Sequence, residues 1–332
     1  MGNASKTVKK SSVMDFTTKW GTLLTIAVMV IVFSITMPTF MTAANMVTII
    51  RAVCIVTVIA TGMTISLTVN GLDLSVGSTA TFANTVCMTF FVWYSFGDNV
   101  GSSLLAILMT IIICTVIAGI NALLIVKLRI PDMLATLSTM FMFEGVAMTY
   151  AGGGAINENM MRPDGSTAEG QVPDFFREIG KEPWIIIVML VLVLLVFLFL
   201  TYTKHGRYMY AVGGNPEAAR LSGINVQKYR ALAYLMSTVL ASIGGMLIGA
   251  RVGNAQINSG TPYLMGSVAA AHIGMSVAGV GKPNALGTLA GAILIGVLEN
   301  GLIMASVPYY AVNIFKGAVL AIALALNYAR KK

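Results

Sequence analysis

Apolar residues in this chain come in unbroken runs of about twenty, separated by short polar intervals. They neither alternate with polar residues nor mark one face of a helix. A run of ~20 apolar residues is what a helix needs to cross the ~30 Å hydrocarbon core of a bilayer. Ten such runs are predicted, at 20–37, 49–69, 75–96, 102–126, 133–151, 183–203, 231–252, 263–281, 284–305 and 309–328. The fold class that follows is all-α: a polytopic transmembrane helical bundle, because runs of this length suit helices, which satisfy every backbone N–H and C=O within their own segment. A segment 1–19 precedes the bundle, residues 20–328 form it, and 329–332 follow as a tail.

Two polar intervals are long. Residues 204–230 hold a helix that can be placed from first principles. Asn215 is a good N-cap, Pro216 suits the first helical position, and Glu217 sits at the positive end of the helix dipole. Gly223 can take the left-handed position that ends it. The predicted helix, Pro216 to Ser222, is too short to persist alone in water. Its Ala218, Ala219 and Leu221, with Ile224 beyond, have no core of their own in a loop. Two readings follow: a plug that docks into another protein, or a helix that packs back on its own chain or on lipid headgroups. The second interval, 152–182, carries six acids (Glu158, Asp164, Glu169, Asp174, Glu178, Glu182) against three bases. Such a loop is either a docking surface for a soluble partner or simply solvated.

Composition agrees with the runs: 57% of residues are hydrophobic and 10% charged, against roughly 25% charged in soluble domains. The excess of 21 Lys and Arg over 13 Asp and Glu therefore sets topology and does not point to nucleic acid. With the N-terminus in the cytoplasm, fifteen Lys and Arg fall on inner segments and five on outer ones, and Lys316 lies within the last run. That bias places both termini inside, 204–230 in the cytoplasm and 152–182 outside. Trp20–Met37 is long for the core of a signal peptide and no small-residue cleavage site follows, so a retained span is expected. Cys54, Cys87 and Cys114 lie in separate runs, with no disulfide or metal spacing, and are expected to be packing residues.

Catalytic patterns are missing. Ser276–Pro283 approaches a phosphate loop, but Ser276 and Pro283 stand where Gly and Ser or Thr are required. No metal or cofactor is expected, and an ATP-driven transporter built on this chain would need its ATP hydrolysed by another subunit. The polar residues that interrupt the runs are Asn70, Asp73, Glu144, Arg251, Asn254, His272, Glu299, Asn300 and Lys316. Ionisable groups at membrane depth face a bundle interior or a watery cavity. Glu299 and Lys316, on consecutive spans, are placed to pair. In Asn70–Ser75, Asp73 either caps the third span or belongs to a break that lines a pathway. Gly245, Gly249 and Gly253, and again Gly287 and Gly291, recur every fourth residue, a close-packing signal inside the bundle or at a dimer seam.

Three stretches resemble one family. Gly71-Leu72-Asp73-Leu74-Ser75-Val76-Gly77-Ser78 is similar to a signature of the permeases of ABC importers for ribose, galactose, xylose and related monosaccharides. Gly206-Arg207-Tyr208, Ala211–Asn215 and Ala218–Ile224 resemble that family's cytoplasmic coupling loop, and Gly287-Thr288 through Gly291 with the span to Asn327 its C-terminal helices. The resemblance covers nearly the whole chain after residue 20. It implies an ATPase subunit that receives Asn215, Pro216, Glu217, Ala218, Ala219, Arg220, Leu221, Ser222 and Gly223. It also implies an extracytoplasmic sugar-binding protein, a second permease copy or paralogue, and a place in a prokaryotic cell membrane. The chain departs from the family pattern at Leu264, where an acid is usual, and at His272, Glu144 and Asp132. Asn70, Asp73, Glu144, Asn254, His272 and Asn300 are the candidate pathway residues, and a nucleoside, a deoxysugar or a furanosyl signalling compound is the alternative solute. An ion-coupled secondary transporter is the rival mechanism; its usual internal repeat and paired acids are not evident.

Overall fold

The computed structural model describes residues 21–162, 164–277 and 281–329. The segment 1–19 and residues 330–332 of the tail lie outside the described residues. The chain is helical, with two isolated β-bridges, Ile156 to Ala255 and Met161 to Thr167. In chain order the helices are α1 Gly21–Thr36, α2 Ala43–Thr68, α3 Val76–Val92, α4 Val100–Ala122, α5 Asp132–Tyr150, α6 Asp174–Ile179, α7 Trp184–Tyr202, α8 Lys204–Gly214, α9 Pro216–Leu221, α10 Val226–Val252, α11 Thr261–Ser276, α12 Ala285–Met304 and α13 Tyr309–Ala329. A π-turn, Leu123–Lys127, extends α4.

Each of the ten predicted runs holds one helix, but their lengths differ. Among the described residues five helices are long and apolar enough to cross a membrane: α2, α4 with its π-turn, α7, α10 and α12. Shorter apolar helices include α1 and α3. The span predicted at 75–96 shrinks to α3 because Trp93–Phe96 leaves the helix, with Ser95 at φ 55°. The span at 263–281 becomes α11, ending at Ser276.

α2 is the central post. From Val53 to Ser66 every residue is buried, against α10, α11, α12, α3 and α7. Its threonines would be costly there unpaired, and each hydroxyl donates four residues back: Thr57 to the Val53 carbonyl at 2.7 Å, Thr61 to Thr57 at 2.7 Å and Thr64 to Ala60 at 2.8 Å. The repeated glycines are used within this one chain. A Cβ on Gly245 would stand 2.1 Å from the Ala80 carbonyl oxygen of α3, and one on Gly291 2.2 Å from that of Ala270 on α11. Helix backbones thus touch at α10–α3 and α12–α11, which small residues alone permit.

The interval 152–182 folds back onto one end of the bundle. Glu182 takes two hydrogen bonds from Arg51 of α2, the longer at 2.6 Å. Arg177 on α6 pairs with Glu158 at 2.7 Å. Burial works against the Glu158 carboxylate, but the Val172 N–H and the Arg177 guanidinium outweigh it and hold its pKa below the ordinary 4.5. Hydrogen bonding to Arg51 likewise holds Glu182 down. A carboxylate depressed in the folded state stabilises it above the unfolded pKa, and that contribution is lost as pH falls through the folded value. Acidification from neutral pH to about pH 3 is therefore expected to loosen 152–182 before the helices. Hydrogen exchange, corrected for intrinsic rate, would show it; equal protection of the loop at both pH values would refute it.

Candidate functional site

A cavity of about 420 Å³ opens at the end of the bundle that carries 152–182. Ligand sites commonly fall between ~300 and 1,000 Å³. Its walls come from the first half of α2, the last turn of α10, residues 256–259, the start of α11, the end of α12 and Lys316 of α13. Most polar groups in it are neutral: Thr48, Gln256, Asn258, Ser259, Tyr263 and Asn300. Asn300 donates to the Asn45 side chain at 2.9 Å, which leaves its carboxamide oxygen buried and without a partner. Asn258 keeps a buried oxygen in the same condition. Such acceptors are costly to bury unpaired. The charged liners are Arg251 and the expected pair: Lys316 Nζ stands 2.8 Å from Glu299 Oε2, their side chains 6% and 37% exposed. A buried ammonium requires that partner, so Glu299 carries the compensating charge to the cavity wall. Among the described residues no group of three His, Cys, Asp or Glu side chains could hold a metal ion.

At the opposite end, α8 sits against the break between α2 and α3, and α9 follows it. Gly213 of α8 lies so close that a Cβ there would stand 2.1 Å from the Thr68 carbonyl oxygen and 3.0 Å from the Asn70 nitrogen. Asn70 turns the chain with φ 57°. The break is then held from its other side: Thr136 of α5 accepts from the Leu74 N–H at 3.1 Å and donates to the Leu72 carbonyl at 3.0 Å. Asp132, at the start of α5, takes hydrogen bonds from Arg230 and Tyr234 of α10, and these groups close over Gly71. Asp73 is fully buried, and its Oδ1 accepts from the Ser75 N–H at 3.0 Å and from the Ser75 hydroxyl. Ser75 then accepts from Asn121 at 3.0 Å, and Asn121 from Thr139 at 2.7 Å, which ties α3, α4 and α5 together. Ser75, not Asp73, holds the N-cap position of α3.

α9 stands as its caps predict. The Asn215 side chain accepts from the Ala218 N–H at 3.0 Å, Pro216 opens the helix, and Gly223 at φ 78° ends it. It closes at Leu221 with Ser222 as C-cap, one residue short of the predicted end. Ala219 is buried and Ile224 packs on the core, whereas Leu221 projects with 81% exposure. Arg220 pairs with Glu217 on the same helix at 2.5 Å.

A family model described as the permease component of a branched-chain amino acid transport system matches residues 45–324. The chain belongs to this permease family. The permease is also similar, over nearly its full length, to curated import permeases. It is 31% identical over 319 residues to the ribose import permease protein of Escherichia coli (strain K12), covering 94% of this chain and 95% of the relative. It is 33% identical over 320 residues to the ribose import permease protein of Bacillus subtilis (strain 168), covering 95% and 93%. With the galactose/methyl galactoside import permease protein of E. coli (strain K12) it shares 30% over 338 residues, covering 98% and 99%. No solved structure matches it significantly. The permease is a transport subunit of the cell membrane rather than an enzyme.

Of the residues singled out from the sequence, Asn300 lines the permease's cavity, and Asn254 precedes its 256–259 wall, where its backbone carbonyl accepts from Asn84 at 3.4 Å. Glu144 accepts from the Thr261 hydroxyl at 3.0 Å, joining α5 to the start of α11. Asn70 and Asp73 belong to the break at the far end. His272 lies on the later half of α11, its Nδ1 2.9 Å from the Val268 carbonyl oxygen. Sequence reasoning missed Thr48, Gln256, Asn258 and Tyr263. The cluster of Asn254, Gln256, Asn258 and Ser259 shortly after the seventh predicted span is the available signal.

Proposed function

We propose that this permease is the membrane-spanning subunit of an ATP-driven importer for a monosaccharide such as ribose, or a similar neutral polyol-like solute. The observation that carries the solute class is the pair of carboxamides with partnerless oxygens, Asn258 and Asn300, in a cavity whose polar liners are mostly neutral. The ribose and galactose permeases similar to this chain support the same class. In this reading an extracytoplasmic binding protein delivers the sugar, and a cytoplasmic ATPase docks on Asn215–Gly223. A second copy or a paralogue completes the pathway, and the chain itself needs no cofactor. The bundle crosses the membrane ten times with both termini inside, a reading supported by the fifteen-to-five bias of Lys and Arg. The cavity then opens outward and α9 faces the cytoplasm.

Force enters through α9, passes along α8 to the Thr68–Asn70 contact, and moves the buried post α2 whose other half walls the cavity. Uptake by cells carrying the complete importer tests this. Labelled ribose or galactose is expected to accumulate and leucine is not. Asn258→Leu with Asn300→Leu should lower uptake about tenfold, two hydrogen bonds at ~0.5–1.5 kcal/mol each. Accumulation of leucine instead, or of sugar on an ion gradient without ATP, would overturn it.

A further inference from the structure

A second cavity, of about 750 Å³, lies between the end of α7, α8 and the start of α12, away from the pathway residues. α7 is the most apolar helix of the chain and turns Leu190, Leu194, Leu195 and Leu198 outward, so its outer face meets lipid tails. That face ends at Tyr202, 68% exposed, with Lys204 two residues on. Tyrosine and then lysine at the end of an apolar helix mark the level of the lipid headgroups. The cavity opens at that level. Its apolar lining comes from Phe197 and Leu200, which precede Tyr202 on α7, and from Leu286; Arg207 and Lys282 line it too, and no acid does. Neither cation has an ion pair among the described residues. The segment that bears Lys282 is held in place: Tyr210 donates to the Pro283 carbonyl at 2.6 Å, and Asn284 donates to the Lys282 carbonyl at 3.1 Å while it caps α12.

We propose that this cavity binds the headgroup of an anionic phospholipid, with its phosphate between Arg207 and Lys282 and its acyl chains against Phe197, Leu200 and Leu286. Basic pockets between membrane helices select anionic headgroups in this way. The apolar floor at hydrocarbon depth distinguishes a lipid from a soluble phosphate, which would gain nothing from it. The inference rests on the chain lying in a membrane and is independent of which solute it carries.

Native mass spectrometry of the full-length protein in detergent, titrated with phosphatidylglycerol or phosphatidylcholine, tests it. One phosphatidylglycerol is expected to bind with roughly thirtyfold preference over phosphatidylcholine, the size expected of two basic side chains at a bilayer surface, and the preference should fall with salt. Arg207→Gln with Lys282→Gln should abolish it. The charge-matched pair Lys127→Gln with Lys228→Gln, on exposed residues outside the cavity, should keep it. No headgroup preference in the wild type, or the same preference in R207Q/K282Q, would overturn the proposal. So would equal loss in the matched control, which would mean a diffuse basic surface, or displacement by an equal concentration of glycerol phosphate, which would mean a soluble anion.

Discussion

Leu221→Asp is expected to abolish ATP-driven uptake while the protein remains inserted and folded. Leu221 projects from a six-residue helix with most of its side chain in solvent. Among the described residues Leu221 belongs to no hydrophobic cluster, so the substitution should cost the fold almost nothing. Burial of a leucine in a partner's groove is worth about 1.5–3 kcal/mol, and an unpaired carboxylate in the same groove costs at least as much again. A loss of ~3 kcal/mol already corresponds to more than a hundredfold in docking affinity. Arg220→Glu should act in the same direction less cleanly, because Arg220 already pairs with Glu217 and its reversal also sets two acids against each other on one short helix. Co-purification of the ATPase and labelled-sugar uptake are the measurements. Wild-type levels of both in L221D would remove α9 from the coupling path.

Gly213→Val should uncouple transport from inside the permease. The new Cβ would meet the Thr68 carbonyl oxygen at 2.1 Å and its carbon at 2.9 Å, both backbone atoms that cannot rotate away. α8 must then move off the end of α2. Overpacking of this kind costs about 1–3 kcal/mol, enough to shift thermal stability without preventing insertion. Uptake should fall at least tenfold, about 1.4 kcal/mol of lost coupling. Gly214→Val is the control: it adds the same side chain to the same helix one residue on, where nothing lies within 4 Å. If both variants transport alike, the contact between α8 and α2 carries no force.

The helix α9 was readable because caps are local. Asn215, Pro216, Glu217 and Gly223 each act on backbone groups within a turn of themselves, so the helix forms where they say, to within one residue. α8 is not legible locally: the polar pattern of Lys204–Gly214 reads as loop. Gly206, Gly213 and Gly214 lower its helix propensity by roughly 1 kcal/mol each relative to alanine. Tertiary contacts outweigh that. Met209 and Val212 are fully buried, and Gly206 is needed where a Cβ would stand 2.5 Å from the carbonyl oxygens of Phe199 and Leu200. In the same interval Asn225 caps α10 five residues before the predicted span, accepting from the Lys228 N–H at 2.9 Å.

Candidate polar residues divide along the same line. Glu299 and Lys316 were matched from the sequence because two charges within membrane depth on consecutive spans have few other partners, and they stand 2.8 Å apart. The partners of Asp132 are 98 and 102 residues away, and those of Asn45 and Arg51 are 255 and 131. No local pattern identifies such pairs.

The sequence by itself determined that this is a helical membrane protein, which runs become helices, and where the capped helix between α8 and α10 stands. Hydropathy and capping act over one span or one turn, so a single chain displays them. Tertiary structure alone decided that α8 rests on the end of α2, and that the break at Asn70–Ser75 is clamped by α5 and α10. It also decided that Thr48, Gln256, Asn258, Tyr263 and Asn300 share one cavity. Those facts depend on backbones distant in sequence approaching closely enough to exclude even a methyl group, and only the packed bundle sets those distances.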